Sequence, residues 1–277
     1  MKSRPRRAPF GRKPPRKPLP SRRPDLKPGL GADEIRARVL YRDQMVLVID
    51  KPAGLAVHAG PGGGANIEDS FAALSFNHPR PPALAHRLDR DTSGCLVLGR
   101  HRKALRKLGR LFASGRVEKI YWAVTIGRPA AAEGSIEMAM RKKSDKANGW
   151  QMEIHPQGIS AVTDYRVLAS KDGLSWLELR PRTGRTHQVR IHCAALGCPV
   201  LGDPVYGRDV APPKNVPADA ALHLHARAVT VPLYADRPPI AAVAPPPAHM
   251  HAALRALGWT EDAVVDRVSG PEKIVAG

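Results

Sequence analysis

One stretch constrains this chain more than any other: His86-Arg87-Leu88-Asp89-Arg90-Asp91-Thr92-Ser93-Gly94. Five charged or chargeable side chains crowd into six positions, and the stretch closes on Thr-Ser-Gly. That composition reads as a loop. The apolar run behind it, Cys95-Leu96-Val97-Leu98, reads as the start of a buried strand. Loops held by rigid strands are where catalytic groups tend to sit. By local composition alone the stretch is a solvated turn laced with ion pairs. The argument for chemistry comes from the rest of the chain.

At 277 residues the chain can bury a substantial core. Its formal charge of +19 is far from ordinary and favours a polyanionic partner, chiefly nucleic acid or an anionic membrane surface. Residues 1–30 hold 11 Lys/Arg against Asp25 alone, a net +10, so the remainder still carries +9. That leading segment is rich in Pro, Arg and Lys and is expected to be disordered, as a solubilising tail or a phosphate-binding arm. Its eight prolines oppose the amphipathic helix of a transit peptide, and it lacks the apolar core of a secretory signal. No run of eighteen apolar residues suggests a membrane span. Three cysteines without CxxC spacing suit a reducing compartment, and a cytoplasmic protein is expected.

Order is expected from near Ile35, with the tail ending at residue 33, one domain over 34–260 and a short tail over 261–277. Val39–Tyr41 and Met45–Ile49 read as a hairpin, and Ile67–Leu74 as a short helix. His101–Ala113 repeats leucine between basic residues, the pattern of an amphipathic helix with a cationic outer face ending at Gly115. Val117–Ile126 reads as a central strand, with further strands at 135–140, 150–154, 161–168, 174–179 and 222–231. Helices are expected from Thr183 through Ala195 and over 249–257. Strands outnumber helices without βαβ alternation, which indicates a mixed α+β fold.

Asp89 is the first candidate for chemistry. Its neighbours Arg87 and Arg90 should favour the ionised carboxylate, which then serves as nucleophile or general base. In Arg185-Thr186-His187-Gln188-Val189-Arg190-Ile191-His192, His187 and Arg190 share a helix face, with Thr186 or Thr183 suited to the N-cap. Several cationic groups near a helix start suit a phosphate or carboxylate. Tyr121 is either a core residue or one that stacks on a base or moves a proton. His187, His192, Cys193, His223 and His225 lack the ligand spacing of zinc sites, so no metal is expected. Phosphate-loop and serine-elbow patterns are missing too, and no cofactor is expected.

Four separated segments share one resemblance. His86–Gly94 resembles the HRLDxxTSG signature of the pseudouridine synthases of the large-subunit ribosomal type A family. Lys119-Ile120-Tyr121-Trp122-Ala123 is similar to that family's tyrosine strand, and Thr183–His192 with Leu196–Gly207 resembles its third motif. Asp50–His58 resembles the segment that opens its catalytic domain. The four come in the family's order over roughly residues 38–250. Cys95 departs from the pattern, where a larger aliphatic residue is usual.

The resemblance implies an α+β catalytic domain with a large bent antiparallel sheet, flanked by helices and crossed by an RNA cleft. It implies Asp89 as nucleophile, Tyr121 as the base-stacking residue and Arg190 as the ion-pair partner of Asp89. Arg87 is expected to hold RNA with the target base turned out, and His86, Thr92, Arg185 and His187 to contact substrate. The basic helix 101–110, the run Arg141-Lys142-Lys143 and the tail are expected to meet phosphates. The tail also stands where many relatives carry a small RNA-binding domain. The partner implied is structured RNA, ribosomal before transfer RNA, engaged by a monomer. The reaction, uridine to pseudouridine, transfers no group between molecules and needs no cofactor. Two other classes remain: a non-catalytic RNA-binding assembly factor on the same fold, and a hydrolase of N-glycosidic bonds, which would release free uracil.

Overall fold

The computed structural model describes residues 29–60, 63–145, 149–214, 216–217 and 220–261. The expected basic tail and the final tail therefore lie outside the described residues, apart from the few that adjoin the domain. Helix α1 (Ala32–Ala37) already takes in two residues expected in the tail. Next come the antiparallel strands β1 (Val39–Arg42) and β2 (Val46–Lys51). The segment Ile67–Leu74 is helical, as its spacing indicates, but winds as a 3-10 helix. Then follow β3 (Ala83–Leu84), β4 (Ser93–Gly99), α2 (Arg102–Ala113) and β5 (Glu118–Ile126). A meander of β6 (Glu133–Asp145), β7 (Gly149–Ile154), β8 (Ile159–Lys171) and β9 (Leu174–Pro181) comes next. The chain continues through α3 (Gln188–Ala195), β10 (Leu224–Val231), β11 (Ile240–Val243) and α4 (Ala248–Ala256).

The eleven strands form one sheet, in the order β1-β2-β4-β10-β5-β9-β8-β6-β7, with β11 beside β10 and β3 beside β4. This is the α+β architecture expected. Every pairing is antiparallel except one: β4 and β10 run parallel, with Ser93 opposite His225 and Gly94 opposite Ala226. β10, a late strand, thus lies at the centre and joins two halves of the sheet.

That parallel pair corrects the reading of Thr92-Ser93-Gly94 as a turn, because Ser93 and Gly94 are already inside β4. Gly94 sits at φ +106°, and a Cβ there would collide with the backbone carbonyl of Ala226. Only glycine lets β4 and β10 come this close. Ser93 Oγ donates to His225 Nδ1 (2.9 Å), whose Nε2 bonds the Ala244 carbonyl (3.1 Å). Burial pushes His225 down to about 4, so it serves as a neutral bolt between strands.

Helix α2 is bounded as its pattern indicates. Its leucines face the core, where Leu108 and Leu111 are buried against Val46, Val97 and Val229. The His101 ring accepts from the Ala104 amide at its start, and Gly115 follows its end at φ +70°. Helix α3 departs from expectation. Residues 183–187 are not helical, and neither Thr183 nor Thr186 caps the helix. His187 takes the N-cap position at φ 55°, while Thr183 Oγ1 donates to Gln188 Oε1 (2.7 Å) and accepts from the Val162 amide (3.0 Å). Gln188 is itself bonded to Val162 and Thr163, so β8 fixes where the helix begins.

Candidate active site

A cleft of about 410 Å³ opens where the two halves of the sheet meet, within the ~300–1,000 Å³ usual for ligand pockets. The loop before β4 supplies His86, Arg87, Leu88, Asp89 and Thr92; β5 supplies Lys119 and Tyr121; residues 181–190 line the far wall. The cleft thus gathers residues from three distant segments that carry sequence motifs. Its lining holds five Arg/Lys side chains (Arg87, Lys119, Arg182, Arg185, Arg190) and one carboxylate, Asp89. Such a concave, cationic site attracts anionic substrates.

Asp89 is partly exposed to this cleft. Its Oδ2 lies 3.8 Å from Arg190 Nη1, near enough for charge attraction but too far for a hydrogen bond, and 3.9 Å from His187 Nε2. The amide of Thr92 bonds the Asp89 carbonyl (3.2 Å) and turns the loop. The flanking arginines do not take the part their adjacency suggests. Arg90 bonds Asp91 (3.1 and 3.3 Å), and Arg87 is exposed at the cleft.

The carboxylate most firmly attached to Arg190 is Asp203. Arg190 Nε and Nη2 bond its two oxygens, each at 2.7 Å, in a fork that has no freedom to swing. Asp203 is fully buried and also accepts from the amides of Val205 (2.9 Å) and Tyr206 (3.0 Å). Burial alone would raise its carboxyl, but the hydrogen bonds and charge of Arg190, with those amides, hold it below the usual carboxylate range. Sequence reasoning places Asp203 inside the third motif but gives it no role. One signal is present: no acidic residue occurs between Glu178 and Asp203, so a buried Arg190 has few other partners.

Tyr206 is a second functional residue that its motif leaves without a role. Its hydroxyl lies 2.8 Å from His187 Nδ1 and accepts from the Met152 amide (3.2 Å), and its ring centre is 5.1 Å from the Arg190 guanidinium. With Nδ1 taking the Tyr206 proton, the imidazole Nε2–H faces Asp89. Burial lowers the His187 pKa against the pull of Asp89, which favours the neutral ring.

Tyr121 lines the cleft from β5 and packs against the leucines of both half-sheets. Burial first, then the negative charge of Asp89, push its hydroxyl well above the ordinary range. It therefore offers an un-ionised aromatic face beside the carboxylate. Lys119, two residues earlier, donates to the Thr183 carbonyl (3.0 Å), and burial brings it down to about 8. No motif singles it out as a candidate. Lys51 lies within the segment Asp50–His58 but has no role assigned there: it is fully buried, and its ammonium donates to the carbonyls of Pro52 (2.7 Å), Leu55 (2.7 Å) and Arg90 (2.9 Å). This ties the Asp89 loop to the end of β2. Burial lowers Lys51 to about 8.

The remaining expected contacts differ in character. His86 Nε2 accepts from the Val97 amide (2.9 Å) and its ring stacks on Phe112 (4.6 Å); burial, then the charge of Lys119, push it to about 3. It lines the cleft as a neutral wall with one ring nitrogen engaged. Thr92 is buried and its hydroxyl finds no partner among the described residues. Arg185 is exposed, its guanidinium near the Ser160 carbonyl (3.3 Å). Of the histidines and cysteines weighed as ligands, His192 bonds Thr163 and His223 bonds the Ala221 carbonyl, and among the described residues no metal-holding group forms.

Known proteins share this geometry's sequence and fold. Residues 45–195 match the family model described as RNA pseudouridylate synthase. An uncharacterized RNA pseudouridine synthase of Zymomonas mobilis is 45% identical over 157 residues, covering 57% of this chain and 72% of the relative. A mitochondrial pseudouridylate synthase of Xenopus tropicalis is 32% identical over 263 residues, 81% of each chain. The solved structure of human RNA pseudouridylate synthase domain containing 4 superposes with a TM-score of 0.67 at 28% identity, covering 82% of this chain and 95% of that one.

Proposed function

The chain belongs to the RNA pseudouridylate synthase family, and from that premise we propose that it isomerises uridines in RNA with Asp89 as its nucleophile. The observation that carries the assignment is the single cleft carboxylate, Asp89, facing Arg190 beside the un-ionised ring of Tyr121. The N1–C1′ bond of a uridine breaks, the uracil turns within the cleft, and C5 bonds to C1′. The C5 proton leaves and N1 regains one, so the product is an isomer of the substrate. Asp89 acts on the ribose, at C1′ or by removing a sugar proton. Arg190 faces the carboxylate at 3.8 Å as the cleft closes around the base. Tyr121 stacks on the uracil and keeps it from escaping.

A uridine in folded RNA must leave its stack, at a cost of about a few kcal/mol. Phosphate contacts by the rim cations, Arg87 and Arg185 among them, offset that cost. Ribosomal RNA of the large subunit is the substrate we favour, with transfer RNA second. Mapping pseudouridine in cellular RNA with and without the gene decides between them. Three free, buried thiols fit a reducing compartment, for which we propose the cytoplasm. We propose that it engages RNA as a monomer.

The test is tritium release from RNA labelled at C5 of uridine. Asp89→Asn should bind RNA with wild-type affinity and release no tritium. Full product formation by that variant sinks the nucleophile, and release of free uracil by the wild type marks a hydrolase instead.

A further inference from the structure

The sequence holds two basic runs apart from the leading segment, and the structure treats them differently. In the β6–β7 hairpin, Arg141 and Lys143 both pair with Glu153 (2.8 and 3.4 Å). Elsewhere on the sheet, Arg166 and Arg180 share Glu178, and Arg182 bonds Asp164. Helix α2 differs. Arg102, Lys103, Arg106, Lys107 and Arg110 are all exposed, and among the described residues none has an acidic partner. Lys107 turns instead over the ring of Tyr234 (5.8 Å). Five like charges on one short helix repel each other, and no acidic side chain among the described residues pairs with them.

The arrangement along the helix is directional. At 3.6 residues per turn, Arg102, Arg106, Gly109 and Ala113 fall on one stripe. The stripe ends at the cleft, whose wall includes Phe112, Ala113 and Gly115. Gly109 has no packing reason to be glycine: a Cβ there would meet nothing within 4 Å. A glycine inside a helix weakens it, and an outward-facing one lets another backbone approach closely. Cations lie at the far end of the stripe, and small residues lie next to the cleft.

We propose that this stripe of α2 is the track for the RNA backbone leading away from the target uridine, with Arg102 and Arg106 on phosphates and Gly109 beneath the sugar-phosphate chain. The proposal rests on the RNA reading above and gives it a direction. The β6–β7 run, partly offset by the one carboxylate of Glu153, contributes less.

The test compares three folded variants with the wild-type chain: Arg102→Gln with Arg106→Gln, Gly109→Gln, and Arg141→Gln with Lys143→Gln. Affinity for a stem–loop transcript with uridines in its loop is measured across salt concentrations. Each phosphate that is no longer neutralised should flatten the slope of log affinity against log salt by about 0.7–0.9. The slope of the α2 double variant should therefore be shallower by about 1.5, and that of the hairpin double variant by less than half as much. Gly109→Gln should weaken binding several-fold with the slope unchanged. An unchanged slope in the α2 variant, or an equal flattening in the hairpin variant, overturns the proposal; so does Gly109→Gln binding as tightly as wild type. Circular dichroism on each variant separates these outcomes from loss of the helix. Binding is read without turnover. A chain that grips RNA along α2 but forms no pseudouridine would sink the isomerase reading and leave the track standing.

Discussion

Asp203 and Asp89 face the same guanidinium from different loops, and they are held in opposite ways. Asp203 is fully buried, makes four hydrogen bonds and has both oxygens on Arg190. Asp89 stands 3.8 Å off, partly exposed, with no hydrogen bond from that guanidinium. A carboxylate saturated with donors is a poor nucleophile, because its lone pairs are already engaged. One left beside a positive charge without direct bonds from it keeps its oxygens available. One aspartate thus aims Arg190, and the other is the one the proposed chemistry would use.

Arg190→Ala should do the most damage, since it removes the partner of both acids. Stranding buried Asp203 should cost about 3–5 kcal/mol, read in a denaturant melt, and turnover should fall below detection in the tritium assay. A stable, active Arg190→Ala protein would break the comparison outright. Asp203→Asn comes next. It should lower stability by about 2 kcal/mol, the loss expected for hydrogen bonds to a charged group, and slow turnover through a misaimed Arg190. Asp89→Asn, by contrast, should melt within about 0.5 kcal/mol of wild type, as partly exposed sites do. If the two asparagine variants changed places, with Asp203→Asn inactive but stable, their roles would be reversed. Tyr206→Phe should have a milder effect, costing about 1 kcal/mol for the missing hydroxyl bonds and reducing turnover several-fold as His187 loses its orientation.

The smallest effect concerns Lys119. Its pKa is lowered to about 8, so it is charged below that pH and neutral above it. RNA affinity should weaken as pH rises through about 8, and Lys119→Gln should bind less tightly at neutral pH but lack that limb. An identical pH profile in the variant would remove Lys119 from the RNA contact.

The sequence is most legible where structure is local. The leucine spacing of α2 and the apolar run of β5 each carry their own periodicity, so their existence and boundaries emerge directly. The loop bearing Asp89 is locally legible only as a solvated turn; it becomes legible as a site through the separated segments that share its resemblance. Pairings across long separations are not. Gly94 looks like a turn residue until β10 lies against it, and the residue that explains it, Ala226, is distant in sequence. Lys51 looks like a charged residue at a turn, yet three carbonyls make burial tolerable, and no local pattern announces them. His187 occupies a left-handed backbone setting that helix propensity does not reveal, because β8 rather than a capping threonine sets the start of α3. Asp203 is visible as a residue but not as a partner, since a linear string of residues does not say which acid meets which arginine.

The place of β10 has a consequence for when this protein becomes competent. Asp89 hangs from the half-sheet built on β1, β2 and β4, whereas Tyr121 and Arg190 belong to the half built on β5 through β9 with α3. The two halves share no strand pairing except through β10. While a ribosome is still short of Leu224–Val231, the nascent chain holds both halves with open edges and no means of joining them. Joining them is also a slow kind of step, because the closing contacts pair residues as far apart as Ser93 and His225. Asp89 therefore meets Arg190 only near the end of synthesis, and a chain cut short before that strand holds the residues of the cleft without the cleft itself.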